Sequence, residues 1–306
     1  MSCVLEFVVR AHYSEREVTT YDVHQHLWPE SFVRALADRT SPPLLDGHTL
    51  VLEHEGAFRI DPADYGVEAC LRNLDRIGVD VAVVSCPPTL GIDSLPADEA
   101  EELRRAYHEG ALAAAAECGG RLLPLSMDRA EDGFVGAILA AEDVAGLDDG
   151  VCARLDELER RGMFVLVHPG VARPPLDAPP WWAATVDYTV QMQRAYARWL
   201  AHGVARWPEL RIVFAILAGG APFQLERMQA RGFEIANALH PTIFLETSSY
   251  GRRALELCLA TFGARQIVFG SDAPVVEPMT TLAHVRSFGQ AATEALCHHN
   301  PTTLLT

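Results

Sequence analysis

Tyr21-Asp22-Val23-His24-Gln25-His26 carries an extended, apolar-alternating run straight into a histidine pair. On an extended segment residues i and i+2 point to the same side, so His24 and His26 can turn both imidazoles toward one point. A His-x-His pair alone is a weak signal, because two unrelated histidines in a surface loop have the same spacing. Two later stretches strengthen it. Phe164-Val165-Leu166-Val167-His168 is an apolar strand ending in a histidine, followed at once by Pro169-Gly170. Ile267-Val268-Phe269-Gly270-Ser271-Asp272 is an apolar strand ending in an aspartate, with Pro274 close behind. In a parallel barrel the C-terminal ends of all strands share one rim, which would bring His24, His26, His168 and Asp272 together.

The rest of the chain alternates in the way that arrangement needs. Short β-prone runs lie at Thr19–Val23, Val79–Ser85, Leu122–Ser126, Phe134–Leu139, Phe164–His168, Ile212–Leu217, Ile243–Thr247 and Ile267–Gly270. Between them come helical stretches at Asp64–Ile77, Ala97–Glu117, Val151–Arg161, Val186–Ala201, Arg252–Phe262 and Leu282–Leu296. Strands alternating with helices predict βαβ units on a parallel sheet. Eight strands predict an α/β fold of the (β/α)8 TIM-barrel type. A doubly wound dinucleotide sheet is disfavoured, since no GxGxxG follows the first strand. From His24 to His168 is 144 residues and from His168 to Asp272 is 104. Spread over four and three βα units, both intervals give a repeat of about 35 residues, the spacing of strands one, five and eight of one barrel.

The prediction is a single domain over residues 1–306, with an N-terminal extension at 1–19. Residues 41–61 read as an inserted β-hairpin after the first strand, Thr49–Glu53 and Phe58–Ile60 around Glu55-Gly56. Only Met127–Gly133 separate the third and fourth strands, so the third helix is shortened or missing. Pro169–Pro180, with five prolines, and the following Trp181-Trp182 form a candidate element at the mouth.

Composition narrows the chemistry. The chain has 306 residues and no lysine, its 25 basic residues all being arginine. That excludes a Schiff-base or pyridoxal-phosphate lysine, a phosphate-loop lysine and a carbamylated lysine bridging two metals. A formal charge of −16 argues against nucleic acid or an anionic membrane as partner. Val4–Val9 is broken by Glu6 and lacks a basic start, so a signal peptide is not expected, and no stretch has the length of a membrane span. Seven scattered cysteines without a CxxC pair read as reduced thiols of a cytoplasmic protein.

Three imidazoles and a carboxylate are an ordinary ligand set for one divalent ion, Zn²⁺ above all. Without a bridging lysine the simplest site is mononuclear. A water held there would be acidified, and Asp272 is the natural group to exchange its proton. Asp272 could instead cap a helix, a role that competes for the same oxygens.

These motifs resemble the amidohydrolase superfamily, and within it the "amidohydrolase 2" branch typified by aminocarboxymuconate-semialdehyde decarboxylase. The resemblance rests on His24-Gln25-His26, His168-Pro169, Gly219-Gly220-Ala221-Pro222 and Gly270-Ser271-Asp272-Ala273-Pro274, with Gly78–Ser85 and Asn300–Leu304 in support. It runs from about Asp22 to Leu305. It implies one divalent metal, usually zinc, on His24, His26, His168 and Asp272. It also implies hydrolysis by a metal-activated water or non-oxidative decarboxylation of a small carboxylated substrate.

One departure matters. The family's pattern carries a histidine two residues before a Gly-Gly after strand six, and Leu217 stands in that place here. Asp272 then transfers the proton alone, or Cys86, Ser248, Ser249, His48 or His54 substitutes, or the protein binds metal and ligand without turnover. Hydrolysis with Asp272 as the proton-transfer group is the first expectation, decarboxylation the second.

The expected partner is a small, anionic, cyclic or aromatic molecule. Arg59 on the insertion and Arg173 after strand five are candidate carboxylate clamps, since guanidinium binds carboxylate bidentately. Trp181, Trp182 and Tyr188 are candidate walls for a ring, or equally residues of the core or of a homodimer interface.

Overall fold

The structure, a computed structural model, describes residues 18–306. The N-terminal extension expected at 1–19 therefore lies almost wholly outside the described residues. Eight parallel strands form one sheet in the order β1 (Tyr21–His26), β5 (Val81–Ser85), β6 (Leu122–Met127), β7 (Gly136–Ala140), β8 (Phe164–His168), β9 (Ile212–Phe214), β10 (Ile243–Glu246) and β11 (Ile267–Val268). β11 comes back to β1 through main-chain bonds. Val23 N–H donates to the Phe269 carbonyl at 2.9 Å, Asp272 N–H to His24 at 2.8 Å and His26 N–H to Ala273 at 2.8 Å. The sheet is thus a closed (β/α)8 barrel.

The strands are near-continuous runs of Val, Ile, Leu and Ala because a parallel barrel buries both faces. β1, β5, β8, β9, β10 and β11 have no exposed residue at all. Helices wrap the outside. Ala97–Glu117 and Arg252–Phe262 span the residues the sequence predicts. Trp199 and Trp207 stack at 5.6 Å beneath this layer, an aromatic pair worth ~1 kcal/mol beyond its burial.

The differences from expectation have local causes. Residues 128–135 contain no helix, so of the two expectations for the third crossover, a short helix or none, the structure has none. The stretch predicted as one helix over Leu282–Leu296 is broken at Gly289, whose φ of +90° ends Pro278–Arg286 and starts Gln290–Glu294 on a new axis. The insertion is a three-stranded antiparallel sheet rather than a hairpin: β2 (Leu44–Asp46), β3 (Thr49–Leu52) and β4 (Gly56–Arg59). The extra strand pairs Asp46 with Thr49 around Gly47, whose φ of +57° supplies the tight turn. Among the described residues no helix is long and apolar enough to cross a membrane.

Candidate metal centre

β1 ends in His24 and His26, β8 ends in His168, and Asp272 follows β11. All four are buried at the same end of the barrel, with potential ligand atoms within 4.8 Å of one another. The three imidazole rings form a near-orthogonal trio, with centroids 5.0, 5.1 and 5.2 Å apart and interplanar angles of 88°, 87° and 81°.

Each ring is fixed through its Nδ1. His24 Nδ1 lies 3.0 Å from Glu246 Oε2, His26 Nδ1 lies 3.3 Å from Ser85 Oγ, and His168 Nδ1 lies 2.9 Å from the Pro169 carbonyl oxygen. Each Nε2 remains for the centre. Asp272 is held at φ +60° by its N–H bond to His24, a backbone shape that turns its carboxylate onto the histidines. Its Oδ1 stands 2.9 Å from His26 Nε2 and 3.7 Å from His24 Nε2. The alternative role as a helix cap is excluded, since Glu277 caps the next helix, Pro278–Arg286.

The chemistry of the donors fits a divalent cation. His24 Nε2 and Asp272 Oδ1 are fully buried without a well-aligned hydrogen bond, an arrangement that costs free energy unless something positive completes it. Burial pushes the His168 imidazole well below its ordinary range, helped by the charges of His24 and His26, so its lone pair is free. Burial would push His24 the same way, but the carboxylates of Glu246, Asp272 and Asp22 together outweigh it and raise the ring to about 9. For Asp272, burial works upward, yet His26, His24 and His168 together hold the carboxyl below its usual range.

Above this cluster opens a cavity of ≈ 1050 Å³. Its inner end is His26, His168, Asp272 and Ile216; Trp28, Tyr65, Tyr188 and Tyr250 supply aromatic wall; the insertion contributes His48, Phe58 and Arg59. Arg59 thus sits on the cavity wall, whereas Arg173 is exposed and outside it. Trp181 and Trp182 also lie outside the lining. They stack on each other at 6.1 Å, and the wall on that side is formed by Ala184, Thr185, Tyr188 and Thr189.

β9 ends at Phe214, three residues earlier than predicted, and Ile216 to Gly220 all take positive φ. This left-handed turn buries Leu217 in the core and presents Ile216 to the cavity. Of the two apolar residues, Ile216 and not Leu217 faces the cavity. Of the substitute proton carriers, only His48 and Ser249 line the cavity. Cys86 is buried, its thiol pushed well above the usual range by burial. Ser248 is tied to Glu246, and His54 contacts Glu53 at 3.7 Å away from the cavity.

Two buried carboxylates escape a reading of the sequence based on ligands alone. Glu246 ends β10 beneath His24. Asp22 accepts from Gln25 Nε2 at 2.8 Å, Ser271 N–H at 2.9 Å and His24 N–H at 3.2 Å. The signal for Glu246 was present: Ile243-Phe244-Leu245-Glu246 is another apolar strand ending in a polar group, like those that carry His168 and Asp272.

The solved structures this chain resembles share its fold at low identity. IDCase from Metarhizium anisopliae superposes with a TM-score of 0.78 at 18% identity, covering 94% of this chain and 97% of that one. A 5-carboxyvanillate decarboxylase from Novosphingobium aromaticivorans, complexed with manganese and 4-hydroxy-3-methoxy-5-nitrobenzoic acid, gives 0.70 at 14% identity, covering 95% and 97%. 2,6-Dihydroxybenzoate decarboxylase from Rhizobium gives 0.68 at 16%, covering 94% and 98%. No curated protein sequence matches. The amidohydrolase family model matches residues 21–306, which takes in the histidine pair, His168 and Asp272, and the chain belongs to that family.

Proposed function

We propose that this protein is a divalent-metal-dependent non-oxidative decarboxylase of a small aromatic carboxylic acid, in place of the hydrolysis that the sequence put first. The observation that carries the reading is the pairing, at the inner end of the cavity, of one proton-transferring carboxyl, Asp272, with the apolar Ile216. Hydrolysis asks for one proton to leave the attacking water and another to reach the leaving group, work that a second titratable group eases. Decarboxylation asks for one proton delivered to carbon, and an apolar wall beside the departing carboxylate favours the loss of its charge as CO₂. The decarboxylases among the structural neighbours support the same choice.

His24, His26, His168 and Asp272 would hold the cation, and their donor set suits Zn²⁺, while one neighbour carries manganese. When bound, the ion supplies a Lewis acid for the substrate's oxygens and for the charge left as CO₂ departs. The protein's own residues do the rest. Arg59 pairs with the substrate's anionic group, and Trp28, Tyr65 and Tyr188 enclose its ring. Asp272, held ionised by the histidines, takes a proton from the substrate's hydroxyl or from solvent. As the ring–carboxyl bond breaks, its electron pair stays on the ring carbon, and Asp272 delivers the proton there.

The test is CO₂ release from hydroxybenzoates, with 2,6-dihydroxybenzoate and 5-carboxyvanillate as first probes, by protein loaded with Zn²⁺ or Mn²⁺. Amide and lactone probes run in parallel. The expected result is CO₂ equimolar with the decarboxylated phenol, and Asp272→Asn lowering kcat by ~10²-fold or more. Product from the amide or lactone without CO₂ from any acid would overturn the decarboxylase reading. Tight binding of an acid by metal-loaded protein without any product would establish a binding protein instead.

A further inference from the structure

Glu246 is buried at the meeting point of three barrel strands, and every close contact it makes is from a donor. Its Oε2 accepts from Ser248 Oγ at 2.8 Å and from Ile216 N–H at 3.3 Å, and faces His24 Nδ1 at 3.0 Å; its Oε1 accepts from Ser248 N–H. Two of these donors are main-chain N–H groups that cannot reverse their role. The carboxylate therefore acts only as acceptor, and His24 must meet it with Nδ1–H. With the proton on Nδ1, the lone pair of His24 lies on Nε2, the atom left buried and unpartnered on the side of Asp272.

The neighbouring strand is shaped around this side chain. Gly270 has no unusual φ, yet a Cβ there would overlap Glu246 Cγ, Cδ and Oε1. Its missing side chain is the space the carboxylate occupies. Ile216, the first residue of the left-handed turn, is tied to the same Oε2, so one group anchors both the histidine and the turn that presents the apolar wall.

We infer that Glu246 is a positioning residue for the metal centre, fixing the His24 ring and its Nδ1–H tautomer so that Nε2 is available to the cation. The inference rests on the metal-centre reading of His24, His26, His168 and Asp272. A glutamine at this position cannot substitute. With its oxygen toward Ser248 N–H, its NH₂ points at His24 and Ile216 N–H; turned over, the NH₂ opposes Ser248 N–H. Groups that orient a metal-ligating histidine in this way are worth ~10–100-fold in metal affinity.

The experiment is Zn²⁺ affinity of the full chain, measured by competition with a chromophoric chelator, for wild type, Glu246→Gln and Gly270→Ala. Alongside it, the imidazole ¹⁵N shifts of His24 are recorded in metal-stripped wild-type protein above pH 9, where the raised ring has lost its second proton, a readout that does not depend on a variant folding. Affinity weaker by ~10–100-fold in Glu246→Gln, weaker also in Gly270→Ala, and an Nδ1–H tautomer of His24 in wild type are expected. If wild type binds Zn²⁺ tightly while Glu246→Gln binds equally well, or if His24 carries its proton on Nε2 in the stripped protein, the positioning role is wrong though the metal centre stands. If wild type itself binds no Zn²⁺, the metal-centre reading fails first.

Discussion

Asp22 is fully buried on β1, two residues before His24, and burial drives its carboxyl up to about 6 against the hydrogen bonds from Ser271, Gln25 and His24. A carboxyl raised in the folded state contributes stability that is complete below the unfolded value near 4 and lost as pH climbs through about 6. Over that window the loss is about 3 kcal/mol, roughly two pK units at 1.36 kcal/mol each. Asp22→Asn keeps an oxygen for Ser271 and His24, loses the bond from Gln25 at every pH, and does not titrate. The stability of wild type relative to this variant should fall by about that amount between pH 4 and pH 7, read by urea unfolding at constant metal; a pH-independent difference would contradict the assignment. Asp22 and Glu246 share the reason they are hard to see in a sequence. Each lies among apolar neighbours like any strand residue, and only the packing of adjacent strands tells which side of the pleat finds donors.

The insertion is the element whose fold and attachment depart most from a local reading. β3 and β4 were legible as alternating runs, but the Leu44–Asp46 strand that completes the sheet is three residues long and carries no periodicity of its own. Besides its buried Leu45, Leu50 and Leu52, one side chain in its second turn ties the sheet to the barrel mouth. Glu55 Oε2 accepts from Tyr188 Oη at 2.7 Å, and its Oε1 accepts from Ala172 N–H at 3.2 Å, tying the insertion to the segment after β8 and to the helix Tyr188–Arg198. A hydrogen bond to a charged acceptor contributes about 1.5–3 kcal/mol, and this one is partly exposed, which places it at the low end. Tyr188→Phe keeps the ring and removes the donor. Amide exchange across Thr49–Arg59 should accelerate by about tenfold, measured by mass spectrometry, while the barrel strands keep their protection. Unchanged exchange in the insertion would mean that the sheet is held by its apolar face, Leu45, Leu50 and Leu52, instead.

At the scale of the molecule, the cluster joins strands one, five and eight, so a cation bound there cross-links elements 144 and 104 residues apart in the chain. A ligand that binds only the folded state adds RT ln(1 + [L]/Kd), about 2.7 kcal/mol at one hundred times Kd. For a chain of this length that is a shift in Tm of about 5 °C. Stripping with a chelator should lower the thermal midpoint by that order and Zn²⁺ should restore it, by calorimetry; a midpoint indifferent to both would mean that these four residues hold no ion. The barrel and the four residues that meet on its rim were legible in the sequence, because a parallel barrel repeats every 35 residues or so and puts every strand's end on one rim. Strand ends are where a chain of otherwise apolar strands shows its His and Asp. Tertiary structure alone decided that Ile216 and not Leu217 faces the cavity, that Tyr188 and not Trp181 or Trp182 lines it, and that Glu246 stands behind His24. The physical reason is common to all three. Each depends on the direction of a side chain where the backbone leaves regular geometry or meets a neighbouring strand, and neither periodicity nor spacing carries direction past the end of an element.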